Sequence, residues 1–168
     1  MEGTGTLVIE RGHILRNVCE IAEFFRRIRA QARFADLSRA QLNLLRLEIY
    51  GAAAECDWLA RPADEWDSGL DQRIAAVSVS TQALRDAIDV RSLIFSILPD
   101  VRSASLCAYR RTSNGSLEPI VSGSVQRHEF APIGVRSLAM RAKLLGLEFQ
   151  LVDGVLQNLR PEEFAMNS

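Results

Sequence analysis

Lysine is almost missing from this chain: Lys143 is the one lysine in a basic set of 20 residues. A P-loop sets a lysine directly after a glycine, so that route to nucleotide phosphates is excluded. A basic surplus is missing too. Twenty basic residues face 21 acidic ones, for a net charge of −1, and that balance gives no expectation of nucleic-acid binding. Histidine occurs twice, His13 and His128, and cysteine three times, Cys19, Cys56 and Cys107. With no C-x-x-C pair these are too few for a closed zinc site, and neither a metal nor another cofactor is expected. An odd number of widely spaced cysteines points to reduced thiols and a cytoplasmic compartment. No apolar run approaches the ~20 residues of a membrane span. Residues Met1 to Thr6 lack the basic region and apolar core of a secretory signal. Neither a Gly-x-Ser-x-Gly elbow nor an H-E-x-x-H pair occurs. What remains is 168 residues, 48% hydrophobic and 24% charged, an ordinary globular composition for one domain or two small ones.

The first strong signal is helical. From Val8 to Arg33, Ile14, Val18, Ile21, Phe25, Ile28 and Ala32 recur at alternating steps of four and three, the spacing of a coiled-coil seam. After a break at Phe34 to Leu37, Ser38 suits an N-cap with Gln41 three residues on. Leu42, Leu45, Ile49, Ala52, Cys56 and Leu59 then repeat the rhythm up to Arg61-Pro62. Two helices joined this closely predict an antiparallel hairpin over residues 1–61. Its surplus apolar surface predicts a homodimer whose hairpins pair into a four-helix bundle, unless the second half of the chain covers it.

Residues 62–69, short and acidic, read as a linker. Beyond it, Arg73 to Ser80 alternates as a strand does. Thr81 to Leu98 carries a helical pattern with a possible break near Asp89, closed by Pro99. Ser105 to Arg110 and Leu117 to Ser122 flank Asn114-Gly115 as a hairpin. Val135 to Leu145 predicts a helix with Gly146 after it, and Phe149 to Val152 a strand turning at Asp153-Gly154. The expected class is α+β: the helical hairpin, then a small α/β sandwich over 70–160 and a frayed tail over 161–168.

His128 falls on an expected surface loop. His13 sits beside the seam of the first helix, with Arg16 and Asn17 at i+3 and i+4 on adjoining surface. An exposed imidazole can take a phosphoryl group on a ring nitrogen, a guanidinium offsets the incoming charge, and Glu10 one turn earlier can hold the other nitrogen.

Three stretches, in order, resemble sensor histidine kinases and their phosphotransferase relatives. His13-Ile14-Leu15-Arg16-Asn17 is similar to the H-x-x-[KR]-N phosphoacceptor box. Leu93 to Arg102, leading to Leu106, resembles the kinase N-box helix and its following strand. Gly134 to Gly146 resembles the helix after the last glycine box. In a second register, Glu10 to Glu20 resembles a different kinase box whose acceptor position is Cys19, which leaves no acceptor.

The departures concern nucleotide. Ser96 and Asp100 stand where the N-box has glutamate and asparagine, Ser122-Gly123-Ser124-Val125 lacks the adenine-binding aspartate, and Pro132-Ile133-Gly134 keeps one glycine of a pair. The resemblance therefore implies a degenerate ATP-binding domain and a histidine phosphotransferase, with His13 as acceptor and Arg16, Asn17 and Glu10 supporting. Its partner would be a response-regulator receiver domain. A non-catalytic dimeric adapter or inhibitor is the alternative. A small-molecule sensory domain is a further one, because the order around Leu93 to Gly123 also looks like a GAF module.

Overall fold

A computed structural model of the chain describes residues 43–63, 68–128 and 133–159. The first helix expected, Val8 to Arg33, lies outside the described residues, as does the tail from residue 160.

Where the second arm of the helical hairpin was expected there are two strands, β1 (Asn43–Tyr50) and β2 (Ala53–Leu59). The helical bundle over 1–61 is therefore corrected: its second arm is a β-hairpin, and a four-helix bundle needs two helices from each copy. The reason lies in competing periods. Leu47 and Ile49 alternate with Arg46, Glu48 and Tyr50, and Ala54, Cys56 and Trp58 alternate with Glu55 and Asp57. That two-residue period buries one face, and it wins over the steps of three and four. Gly51 decides the matter locally. It sits at φ 57° between the closing pair Tyr50 and Ala53, and a positive φ at the first turn position is what a two-residue II′ hairpin asks of glycine.

The next correction is at Arg73 to Ser80, which is helical. Helix α1 (Gln72–Ile97) runs 26 residues without a break at Asp89, about 39 Å at 1.5 Å per residue. Asp71 caps it, its Oδ1 accepting from the Arg73 amide at 2.8 Å. The helix ends before Pro99, with the Leu98 amide still donating to Ile94. Then come β3 (Ser103–Arg111) and β4 (Leu117–Gln126), joined by the expected turn, in which Gly115 has φ 86°. Helix α2 (Leu138–Leu144) follows with Ser137 as its N-cap, then β5 (Leu147–Glu148). The hairpin of β6 (Leu151–Val152) and β7 (Val155–Leu156) turns at Asp153-Gly154 with both residues at positive φ, the type I′ pattern.

The main sheet has the order β1-β2-β3-β4-β5. Neighbours are antiparallel except β2 and β3, which run parallel because α1 carries the chain across between them. Helix α1 covers one face. Leu47, Cys56, Trp58, Leu106, Ala108, Val121, Val125 and Leu147 meet Ala87, Val90 and Ile94 in one core. Strands on both sides of 62–69 share this sheet and this core. The observed class is thus a five-stranded mixed sheet with two helices among the described residues, in place of a helical domain followed by an α/β sandwich. No described helix is long and apolar enough to cross a membrane.

Candidate functional site

Most charged side chains whose contacts are resolved do structural work. Arg61, just past β2, pairs with Asp86 in the middle of α1: its Nε donates to Oδ2 at 2.9 Å and its Nη2 to Oδ1. Both residues are buried, and Gln82, one turn earlier, donates to Asp86 Oδ1 at 2.9 Å. A forked pair inside protein fixes geometry more than it adds stability, because two charges have left water. Here it locks the end of the first hairpin to the helix.

Arg127 performs a second structural task. Its guanidinium donates to the carbonyls of Phe95, Leu98 and Val101 at 2.5 to 2.7 Å and lies over the Phe95 ring. Carbonyls at a helix C-terminus lack partners within the helix, and a cation suits that end of the dipole. On β3, Arg110 pairs with Glu118 and donates to the Leu156 carbonyl, which ties the second hairpin to β7.

The face of the sheet opposite α1 carries polar residues. Arg46 reaches Glu55 at 2.8 Å, Asp57 at 2.9 Å and Glu48 at 3.6 Å. Tyr50 donates its hydroxyl to Glu48. That hydrogen bond, with burial and the Glu48 charge, pushes the phenol up to about 12. On the core side, burial pushes the Cys56 thiol upward, so this cysteine stays protonated and inert.

A different surface surrounds α2. Ile133 is 98% exposed, Met140 52% and Leu144 54%. Met140 and Leu144 are one turn apart and therefore share a face, while Ala142 and Leu145 are buried. Arg136, Arg141 and Lys143 accompany them, and no aspartate or glutamate occurs from Ile133 to Leu147. Lys143 lies 5.5 Å from the Phe149 ring centre. Met140 and Leu144 thus form an exposed apolar pair on a helix whose own charged residues, Arg141 and Lys143, are all basic.

The residues expected to carry chemistry fare unevenly. His13, Arg16, Asn17, Glu10 and Cys19 all lie outside the described residues. His128 is exposed just after β4. Among the kinase-like stretches, a helix does end at Leu93 to Ile97 and a strand does carry Leu106, yet the Ser96 hydroxyl bonds back to the Leu93 carbonyl at 3.1 Å. Gly123 has a packing reason: a Cβ there would overlap the carbonyl oxygen of Gly146, which itself holds φ 87°. Close approach of two backbones requires glycine at this point, without any phosphate. The basic and apolar surface of α2 was present in the sequence as a run with three cations and no carboxylate, but it was read as part of a kinase motif.

Among the described residues no group of three or more His, Cys, Asp or Glu side chains is arranged to hold a metal ion. Comparison with protein families, with curated proteins and with solved structures finds no match to this chain, so the likeness to histidine kinases rests on the short stretches quoted above.

Proposed function

We propose that the protein is a binding module, an adapter or inhibitor whose α2 surface docks a protein segment bearing apolar and acidic side chains. The observation that carries the reading is the exposure of Met140 and Leu144 on one face of α2, with Arg141 and Lys143 on the same helix and no carboxylate from Ile133 to Leu147. Large exposed apolar side chains grouped beside charge of one sign mark interaction surfaces on soluble proteins. The remaining resolved polar groups support the same reading, because Arg61, Asp86, Arg110, Glu118 and Arg127 are engaged inside the fold. Cys56, a buried thiol held in its protonated form, suits a reducing, cytoplasmic compartment.

Phosphotransfer through His13 would need an exposed helical face, and the bundle that was to supply it has lost its second arm to β1 and β2. The two readings separate in one experiment. A photo-crosslinking residue in place of Met140 should capture a partner, and the same residue in place of Ser92 on α1 should not. The purified partner should bind with salt-sensitive affinity. Leu144→Asp and Lys143→Glu should each weaken that affinity by about tenfold or more, the loss of about 1.4 kcal/mol. Affinity unchanged in both variants overturns the reading. Acid-labile phosphate reaching the chain from a phosphorylated receiver domain, and lost in His13→Ala, replaces it with phosphotransfer.

A further inference from the structure

The β3–β4 turn holds the chain's one Asn-Gly pair. Of the five asparagines, at positions 17, 43, 114, 158 and 167, Asn114 alone precedes a glycine. Residues 113–116 are exposed, so water and hydroxide reach them.

The Asn114 side chain is held in place. Its Oδ1 accepts from the Ser116 amide at 3.0 Å and from the Ser116 hydroxyl at 2.7 Å, and the Thr112 hydroxyl reaches the same oxygen. A backbone amide can only donate, which distinguishes the oxygen of this side chain from its nitrogen. A bond from an asparagine to the amide two residues on closes over the peptide unit between them. Here that unit is the Gly115 amide. Cγ of Asn114 is thereby carried over the Gly115 nitrogen, and glycine has no Cβ to hold the two apart. The donors stand where charge gathers if that nitrogen attacks, on Oδ1. One bond opposes the attack: the Gly115 amide donates to the Thr112 carbonyl at 3.0 Å and must leave it first.

We propose that Asn114 is a self-modification site, which this turn converts through a succinimide to aspartate and isoaspartate. Hydroxide removes the Gly115 amide proton and the nitrogen forms a bond to Cγ. The carbonyl electron pair moves to Oδ1, where the Ser116 amide and hydroxyl meet the charge. When the pair returns, the Cγ–Nδ2 bond breaks and Nδ2 leaves as ammonia, taking a proton from water and regenerating hydroxide. Water then opens the ring at either carbonyl. The net change is loss of ammonia, gain of water and a new carboxylate. Opening at Cγ gives aspartate, which keeps an acceptor for the Ser116 amide. Opening at the main-chain carbonyl gives isoaspartate, which adds a carbon to the backbone between Thr112 and Ser116, where the Thr112 amide donates to the Ser116 carbonyl at 2.9 Å. Either product sets a negative charge near Arg111, whose Nη1 donates to the Gly115 carbonyl at 3.4 Å.

The test is to incubate the full chain, folded, in warm and mildly alkaline buffer. Peptide mapping by mass spectrometry reads the sites, and isoelectric focusing reads the added charge. Asn114 should convert ahead of Asn43 and Asn158, each of which precedes leucine. Conversion should be at least as fast as in the chain unfolded in guanidinium chloride, because the turn presents the reacting atoms. Ser116→Ala keeps the amide donor and removes the hydroxyl. It should slow conversion by about fivefold, less than the ~100-fold or more of a buried oxyanion donor, because this turn is exposed. Thr112→Val should slow it as well, and Asn114→Asp should melt as the unmodified chain does. No conversion at Asn114 overturns the proposal. Conversion slower in the folded chain than in the unfolded one overturns it too, since the turn would then protect the residue. Rates unchanged in both hydroxyl variants overturn the part assigned to the Oδ1 donors.

Discussion

The β1–β2 and β3–β4 hairpins occupy equivalent halves of one sheet, yet they are encoded differently. β3–β4 is announced by Asn114-Gly115: the Asn114 side chain accepts from the Ser116 amide at 3.0 Å, and Gly115 takes a positive φ. β1–β2 turns on Gly51, placed inside a run whose apolar residues also repeat at three and four. The second hairpin is held from both sides, by β2 and by β5. Among the described residues, the first has one parallel neighbour, β3, and the Arg61–Asp86 link. The weaker turn signal thus goes with a hairpin whose position is set by tertiary contacts.

The largest expected effect breaks that link. Asp86→Ala leaves the buried Arg61 guanidinium without its carboxylate, and loss of one member of a buried pair costs about 3–5 kcal/mol. The denaturant midpoint should fall accordingly, and β1–β2 amides should exchange faster than those of β3–β4.

Next comes the close approach in the second hairpin. Gly123→Ala drives a methyl group into the Gly146 turn, and overpacking of this kind costs about 1–3 kcal/mol. A thermal melt reads it. Gly51→Ala meets no atom within 4 Å. It should cost only the left-handed backbone penalty of about 1–2 kcal/mol, and should loosen the first hairpin alone.

What the sequence disclosed follows the same division. The Asn-Gly and Asp-Gly turns, the helix before Pro99 and the helix ahead of Gly146 were legible, because each rests on local chemistry such as a positive φ, a missing amide or a cap. The strands β1 and β2 were misread as the second arm of a helical hairpin. Ile49 and Cys56 fit both periods, and the choice was made by burial against Leu106 and α1, far along the chain. Arg73 to Ser80 was read as a strand because Val77 and Val79 alternate with Ser78 and Ser80, and the Asp71 cap that starts the helix went unread. The α2 surface was visible only as charge composition, since exposure of Met140 and Leu144 depends on which face Ala142 and Leu145 bury.

The smallest effect concerns Tyr50, a partly exposed residue on the polar face of the first hairpin. Its phenol is raised from 10.0 to about 12 through the hydrogen bond to Glu48. A folded-state value above the unfolded one stabilises the fold below the unfolded value, and that contribution is lost as pH rises through about 12. Ultraviolet titration should therefore show one phenol ionising late, and Glu48→Gln should bring it back towards its ordinary range.

The most direct measurement is the pattern of proton–proton contacts over residues 43–59 in isotope-labelled protein. Cross-strand contacts joining Arg46 to Asp57 and Glu48 to Glu55, with further contacts from Glu55 to Ser105, are the expected result of an edge hairpin built into one sheet. Contacts at i to i+3 running from Leu44 through Leu59 would mean a helix there, and would contradict it.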